Sequence, residues 1–157
     1  MDRLLGRDTT PILDNGRVYR ENFYVGHGDD FIDGRGGVDA IIMERDFVGA
    51  KNSVALTNTD AGTIKDHFGD HNTIRNTELY FPTSFGTVFN GSSKDEIVET
   101  EVANNTLRGK GGDDSIFYVG TSGIAVNLNS QSVTNGLGKT DAISGFETIG
   151  ALTITTT

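Results

Sequence analysis

Short apolar or β-branched runs punctuate the chain: Phe23–Val25, Ala40–Met43, Ser53–Leu56, Ile97–Val98, Ser115–Val119 and Ile124–Leu128. Segments rich in glycine, asparagine and aspartate separate them. Runs this short between such breakers read as strands, because glycine and Asx residues supply turns that strand residues do not. Helical periodicity is scarce. The best helical stretch, Asp60 to His71, contains Gly62 and Gly69 and sustains no 3.6-residue apolar period. The pattern predicts an all-β chain whose inward positions are Ile32, Ile41, Val54, Leu56, Ile97, Leu107, Ile116, Val126, Leu128 and Ile143.

Two parts of the chain repeat each other in outline. The first carries Gly37-Val38-Asp39-Ala40-Ile41, then Val54-Ala55-Leu56, then Asn72-Thr73-Ile74 and Glu78. The second carries Gly112-Asp113-Asp114-Ser115-Ile116, then Val126-Asn127-Leu128, then Asp141-Ala142-Ile143 and Glu147. One matching triplet is cheap by chance, whereas an ordered series of four points to a duplicated architecture. No linker composition separates the copies: Phe81 to Ser93 contains Pro82, Gly86 and Gly91 but also Phe85, Val88 and Phe89. The expected organisation is one domain over 1–157 with two related units, about 23–80 and 88–157.

A shorter period lies inside these units. Asp30 and Asp39, Ile32 and Ile41, and Gly28 and Gly37 are each nine residues apart. In the second block, nine residues back from Asp114 and Ile116 stand Asn105 and Leu107, and ten further back stand Asp95 and Ile97. A nine-residue unit suits about six residues of tight turn, where glycine admits positive φ, and three of strand. Stacked units place carboxylates in register, where they repel unless a hard cation with six to eight oxygen ligands joins them.

These residues resemble the nonapeptide repeat of the RTX (repeats-in-toxin) family, Gly-Gly-x-Gly-x-Asp-x-apolar-x. The resemblance implies a right-handed parallel β-roll, or irregular β-solenoid, that folds on binding Ca2+ outside the cell. It also implies type I secretion through an uncleaved C-terminal signal. Carried over by position, the calcium-liganding aspartates are Asp30, Asp39, Asp95 and Asp114. The turn glycines are Gly28, Gly34, Gly36, Gly37, Gly109, Gly111 and Gly112. The final segment, from Gly123 through Glu147, is similar to stretches that interleave with such repeats in bacterial adhesins.

Composition narrows the partners. The chain holds 21 glycines against 2 prolines, which favours repeated tight turns over collagen-like or proline-rich classes. Its 22 Asp and Glu outweigh 13 Lys and Arg, a balance that repels phosphate backbones and excludes nucleic acid as an expected partner. Without cysteine there is no disulfide staple and no thiolate zinc site. No apolar run approaches a membrane span. Met1 to Leu13 lacks the apolar stretch of a secretory signal peptide, which leaves open an excerpt, retention inside, or export by another route.

Other constellations carry less. Asp66-His67-Phe68-Gly69-Asp70-His71 offers two histidines four apart, but Gly69 weakens the helix that zinc ligation would require, and a solvated loop is the expectation. Ser122 lacks a nucleophile-elbow frame. Tyr80, Phe81, Phe85 and Phe89 are expected in the core rather than in a sugar-stacking strip. The reading is a non-catalytic, extracellular or cell-surface calcium-binding structural or adhesive module, with head-to-tail association of copies through similar ends. The alternative is an accessory module of a larger secreted enzyme acting on polysaccharide, and a third is a stand-alone polysaccharide-active enzyme.

Overall fold

The computed structural model describes residues 3–5, 21–43, 53–56, 61–66, 68–82, 86–101, 103–120, 123–135 and 137–152. Within them the chain is all β. The strands are β1 (Arg3–Leu5), β2 (Asn22–Val25), β3 (Phe31–Asp33), β4 (Ala40–Met43), β5 (Ser53–Leu56), β6 (Ala61–Lys65), β7 (His71–Arg75) and β8 (Leu79–Phe81). They continue with β9 (Val88–Asn90), β10 (Ile97–Thr100), β11 (Thr106–Arg108), β12 (Ser115–Val119), β13 (Ile124–Asn127), β14 (Ser132–Asn135), β15 (Thr140–Ser144) and β16 (Thr148–Leu152). The stretch with the best helical case supplies β6 and the start of β7 instead. Ile64, Asn72 and Ile74 alternate inward there with exposed Thr63, Lys65, Thr73 and Arg75, the period of two that a half-buried strand requires. No helix among the described residues is long and apolar enough to cross a membrane.

The chain passes back and forth between two sheets. One holds β16-β12-β10-β8-β4-β2, parallel throughout. The other holds β1-β3-β7-β6-β5-β9-β11-β15-β14-β13. It is parallel except at two antiparallel meanders, β5-β6-β7 and β13-β14-β15. The inner faces share one core: Phe23, Val25, Ile41, Met43, Tyr80, Val98 and Ile116 from the first sheet meet Ile32, Val54, Ile64, Ile74, Phe89, Leu107 and Ile143 from the second. The rings of Tyr80 and Phe89 lie 5.2 Å apart across it. Burying large aromatics between two thin sheets supplies much of the apolar area that the short strands lack individually.

Among the described residues the fourteen strand pairings fall into two matching sets of six, joined by two more. In β1–β8 the pairs are β1–β3, β2–β4, β3–β7, β4–β8, β5–β6 and β6–β7. In β9–β16 they are β9–β11, β10–β12, β11–β15, β12–β16, β13–β14 and β14–β15, each with the same sense as its counterpart. The joints are β5–β9 and β8–β10, both parallel.

Three expected core positions stand elsewhere. Register pairs Val98, not Ile97, with Ile116, so Val98 is fully buried and Ile97 faces the outer side beside Ala40, Leu79 and Phe81. A slip of one residue reverses the face of every side chain in a strand. Val126 and Leu128 are 42% and 74% exposed. They belong to β13 and the turn after it, at the end of the ten-stranded sheet, where no further strand among the described residues covers them. The Leu56 side chain lies outside the described residues. Leu107→Ala should therefore lower the free energy of unfolding by about 2–5 kcal/mol. Leu128→Ala should change it by no more than about 0.5 kcal/mol in the same denaturant titration.

Candidate metal centre

Every strand of the six-stranded sheet is preceded by an acid. Glu21, Asp39, Glu78, Glu96, Asp114 and Glu147 stand immediately before β2, β4, β8, β10, β12 and β16. Because those strands are parallel and in register, the six carboxylates form one column with about 4.8 Å per rung. Side chains knit the column to the backbone. Glu21 N–H donates to Asp39 Oδ1 (3.2 Å) and Asp39 N–H to Glu78 Oε2 (3.0 Å). Glu96 N–H donates to Asp114 Oδ1 (2.8 Å) and Asp114 N–H to Glu147 Oε2 (2.8 Å). Glu96 turns its own carboxylate back onto Ser92, accepting from the backbone N–H at 3.0 Å and from the hydroxyl.

The ten-stranded sheet begins with a different column: Asp30, Asn72, Thr87, Asn105 and Asp141. Asn72 Oδ1 accepts from Asp30 N–H (2.9 Å), and Asn105 Oδ1 accepts from Thr87 N–H (2.8 Å). Asp141 accepts from the N–H of Asn105 at 2.8 Å and from its carboxamide at 2.9 Å. Carboxamide donors match carboxylate acceptors here, so like charges do not adjoin through the middle of the stack.

In the acidic column two oxygens have no such match. Asp39 Oδ2 and Asp114 Oδ2 are buried without a hydrogen-bond partner, on residues 2% and 0% exposed. Each faces the glycine five residues before it. A β-carbon at Gly34 would lie 2.7 Å from Asp39 Oδ2 and would overlap the carbonyl oxygen of Asn76. One at Gly109 would overlap Asp114 Oδ2 and the carbonyl of Gly145. Only glycine leaves room for a carboxylate and a neighbouring rung's carbonyl to converge. Among the described residues no three His, Asp or Glu side chains gather as a metal cage. A cation here would combine carboxylates with backbone carbonyls, the hard-oxygen set that suits calcium.

The expected site residues divide accordingly. Asp39 and Asp114 are in the acidic column. Asp30 is in the other, because strands nine residues apart belong to opposite sheets, while stacked neighbours are 18 apart or, where a meander intervenes, 33 to 42. Asp95 is displaced by one position. It is exposed and accepts from Asp113 N–H (2.8 Å), while Glu96 holds the column place. Ser93 and Lys94 where turn glycines stand in other units hid that alignment. Gly28, Gly37 and Gly112 have positive φ of 101°, 128° and 112°. Gly111 donates its N–H to Ser92 O at 3.2 Å, stacking one turn on the next. Gly34 and Gly109 are the close-approach glycines, and Gly36 lies between Gly34 and Gly37 in the same turn. Glu21, Glu78, Glu96 and Glu147 were missed as site residues, although Glu78 and Glu96 stand directly before apolar residues and Glu21 and Glu147 one residue further back.

In the Asp66–His71 segment, Asp66 Oδ1 accepts from the N–H groups of Phe68 (2.9 Å) and Asp70 (3.0 Å), closing the turn between β6 and β7. Asn135 Oδ1 does the same for Leu137 and Lys139 between β14 and β15. The carboxylate serves as a turn cap; His67 lies outside the described residues, as does Phe85. No protein-family model matches the chain, and no curated protein matches it significantly.

Burial pushes Asp39 up to about 6 and Glu96 up to about 7, and it raises Asp114 as well. Neighbouring acids add to this: Glu21 for Asp39, Asp114 for Glu96, and Glu147 with Asp95 for Asp114. The ordinary values are 3.8 for aspartate and 4.5 for glutamate. Between those and the raised values the folded chain binds more protons than the unfolded one, so stability falls as pH rises. In chelator, the melting temperature should be highest near the acid end of that window and decline steadily towards neutral pH. A calcium-free melting temperature that rises over the same interval would contradict this arrangement of charges.

Proposed function

We propose that this chain is a calcium-stabilised structural module, a parallel β-roll of the RTX kind, which works without catalysis in the calcium-rich medium outside the cell. The observation that carries the reading is the in-register column of six carboxylates with two buried, unpartnered oxygens at Asp39 and Asp114. Calcium would be held there by these aspartates with the glutamates above and below and with turn carbonyls such as those of Asn76 and Gly145. Its bound charge would convert mutual repulsion into cohesion. Ligands assembled only in the folded state make binding free energy into folding free energy. Further support comes from the repeated glycine positions at which turns touch, and from a chain with no cysteine to staple it.

Calcium added to chelated protein at neutral pH should produce a large gain in β-sheet circular dichroism, with magnesium a poor substitute because it keeps its waters and demands octahedral geometry. A full β spectrum and an unchanged melting temperature in chelator would sink the proposal. Substitutions sharpen the assignment. Asp114→Asn keeps the acceptor for Glu96 N–H but removes the charge, so it should raise calcium-free stability while blunting the calcium response. Glu96→Gln should act in the same direction. Asp95→Asn, outside the column, should leave the calcium midpoint within about twofold of the parent, as surface changes do. Equal midpoints for all three variants would remove the column from the site.

A further inference from the structure

One junction is used inside the chain and offered again at its two ends. The first eight strands meet the second eight through parallel pairing of β5 with β9 and β8 with β10. Register there places Val54 beside Phe89 and Tyr80 beside Val98, and Ile97 N–H donates to Glu78 O at 2.8 Å. Val54 and Phe89 are both fully buried by it.

The matching pairings identify the counterparts of these strands. β13 and β16 hold in the second set the places of β5 and β8 in the first. β1 and β2 hold the places of β9 and β10. Among the described residues both pairs have a free edge, since β13 and β16 end their sheets on one side and β1 and β2 on the other. Side chains at the equivalent positions are uncovered. Val126, the counterpart of Val54, is 42% exposed, and Leu4, the counterpart of Phe89, is 36% exposed. β13 and β16 carry no charged residue, so neither has the lysine or inward charge that commonly protects an edge strand.

We propose that copies of this chain join head to tail through the same junction, with β1 and β2 of one copy adding in parallel to β13 and β16 of the next. Transferring the internal register sets Leu4 beside Val126 and Phe23 beside Ile149. Glu21 then follows Glu147 in the acidic column as Glu96 follows Glu78. The contact is heterologous, using different surfaces on the two copies, so it propagates as a filament and does not close into a dimer. This inference deepens the structural-module reading and rests on it, although the apolar pairs of the junction do not themselves require calcium.

The test uses two single variants of the intact chain, each blocking one end: Leu4→Lys at β1 and Val126→Lys at β13. Light scattering follows mass in calcium, and circular dichroism on the same samples reports folding separately. The parent should grow with concentration beyond a dimer. Each variant alone should stay monomeric with the parent spectrum, and an equal mixture should double in mass and stop, because one free end of each kind remains. A folded parent that stays monomeric at every concentration overturns the proposal, as does a mixture that fails to dimerise while the parent assembles. Growth in chelator with an intact β spectrum would overturn the calcium reading and leave this one standing. Should either lysine disturb the spectrum, cysteines in the cysteine-free chain replace it. Leu4→Cys with Val126→Cys should give an oxidised covalent ladder, whereas Leu4→Cys with Ala125→Cys, out of register, should not. Equal cross-linking of the two pairs would also overturn the register.

Discussion

Like charges held one strand apart constrain everything else in this structure. Two unit charges about 4.8 Å apart repel by roughly 3–4 kcal/mol at an effective dielectric near 20. Whole domains of this size are stable by only about 5–15 kcal/mol. A column of six carboxylates therefore cannot stay fully ionised and uncompensated in a folded chain. The backbone offers partial relief, since Asp39 and Asp114 each accept an N–H from the preceding rung. That satisfies one oxygen of each and leaves the other buried and bare. Protons or a cation must supply the rest, and on the reading proposed above it is a cation near neutral pH.

The second column shows the same register built without a row of acids. Asn72, Thr87 and Asn105 occupy rungs that could have held acids, and the Asn72 and Asn105 carboxamides accept a neighbouring rung's N–H as the carboxylates do. Both columns precede strands of the same two sheets, so strand geometry alone does not call for six acids along one of them. A difference maintained through six rungs on one side, against mixed residues on the other, points to chemistry at the acidic corner. Buried polar groups are ordinarily paired, which makes the two bare oxygens the exception that needs explaining.

Much of the architecture was legible in the residues. The short runs became strands, the positive-φ glycines became turns, and the ordered matches of Val54 with Val126, Ile74 with Ile143 and Glu78 with Glu147 all fall at equivalent register positions. What stayed hidden follows from geometry that spacing does not encode. A nine-residue count does not reveal that successive strands lie in opposite sheets, so Asp30 and Asp39 read as neighbours in one stack when they belong to two. Glu96 was masked because its unit carries Ser93 and Lys94 in place of glycines, and the neighbouring Asp95 offered a false match one residue away. The exposure of Val126 was equally unreadable, since its sequence context resembles that of buried Val54 and only its place at a sheet end separates them.

The acidic column is organised by unit rather than as one uniform ladder. In each set of eight strands an aspartate stands between two glutamates: Glu21, Asp39 and Glu78, then Glu96, Asp114 and Glu147. The aspartate's carboxylate takes the N–H of the glutamate before it, and its own N–H goes to the carboxylate of the glutamate after it. At the joint between units the bonding changes. Glu78 gives its N–H to the backbone oxygen of Asp39, Glu96 folds onto Ser92, and the backbone ladder carries the contact through Ile97 N–H to Glu78 O. Cohesion across the joint then comes from that ladder and from Val54 against Phe89 and Tyr80 beside Val98. The unpartnered carboxylate oxygens thus stand within each unit, at its central aspartate, and the joint is governed by apolar burial and backbone bonds. Such a division lets a repeating body be fastened internally by one interaction and extended by another, as nearest-neighbour stability in stacked repeats allows.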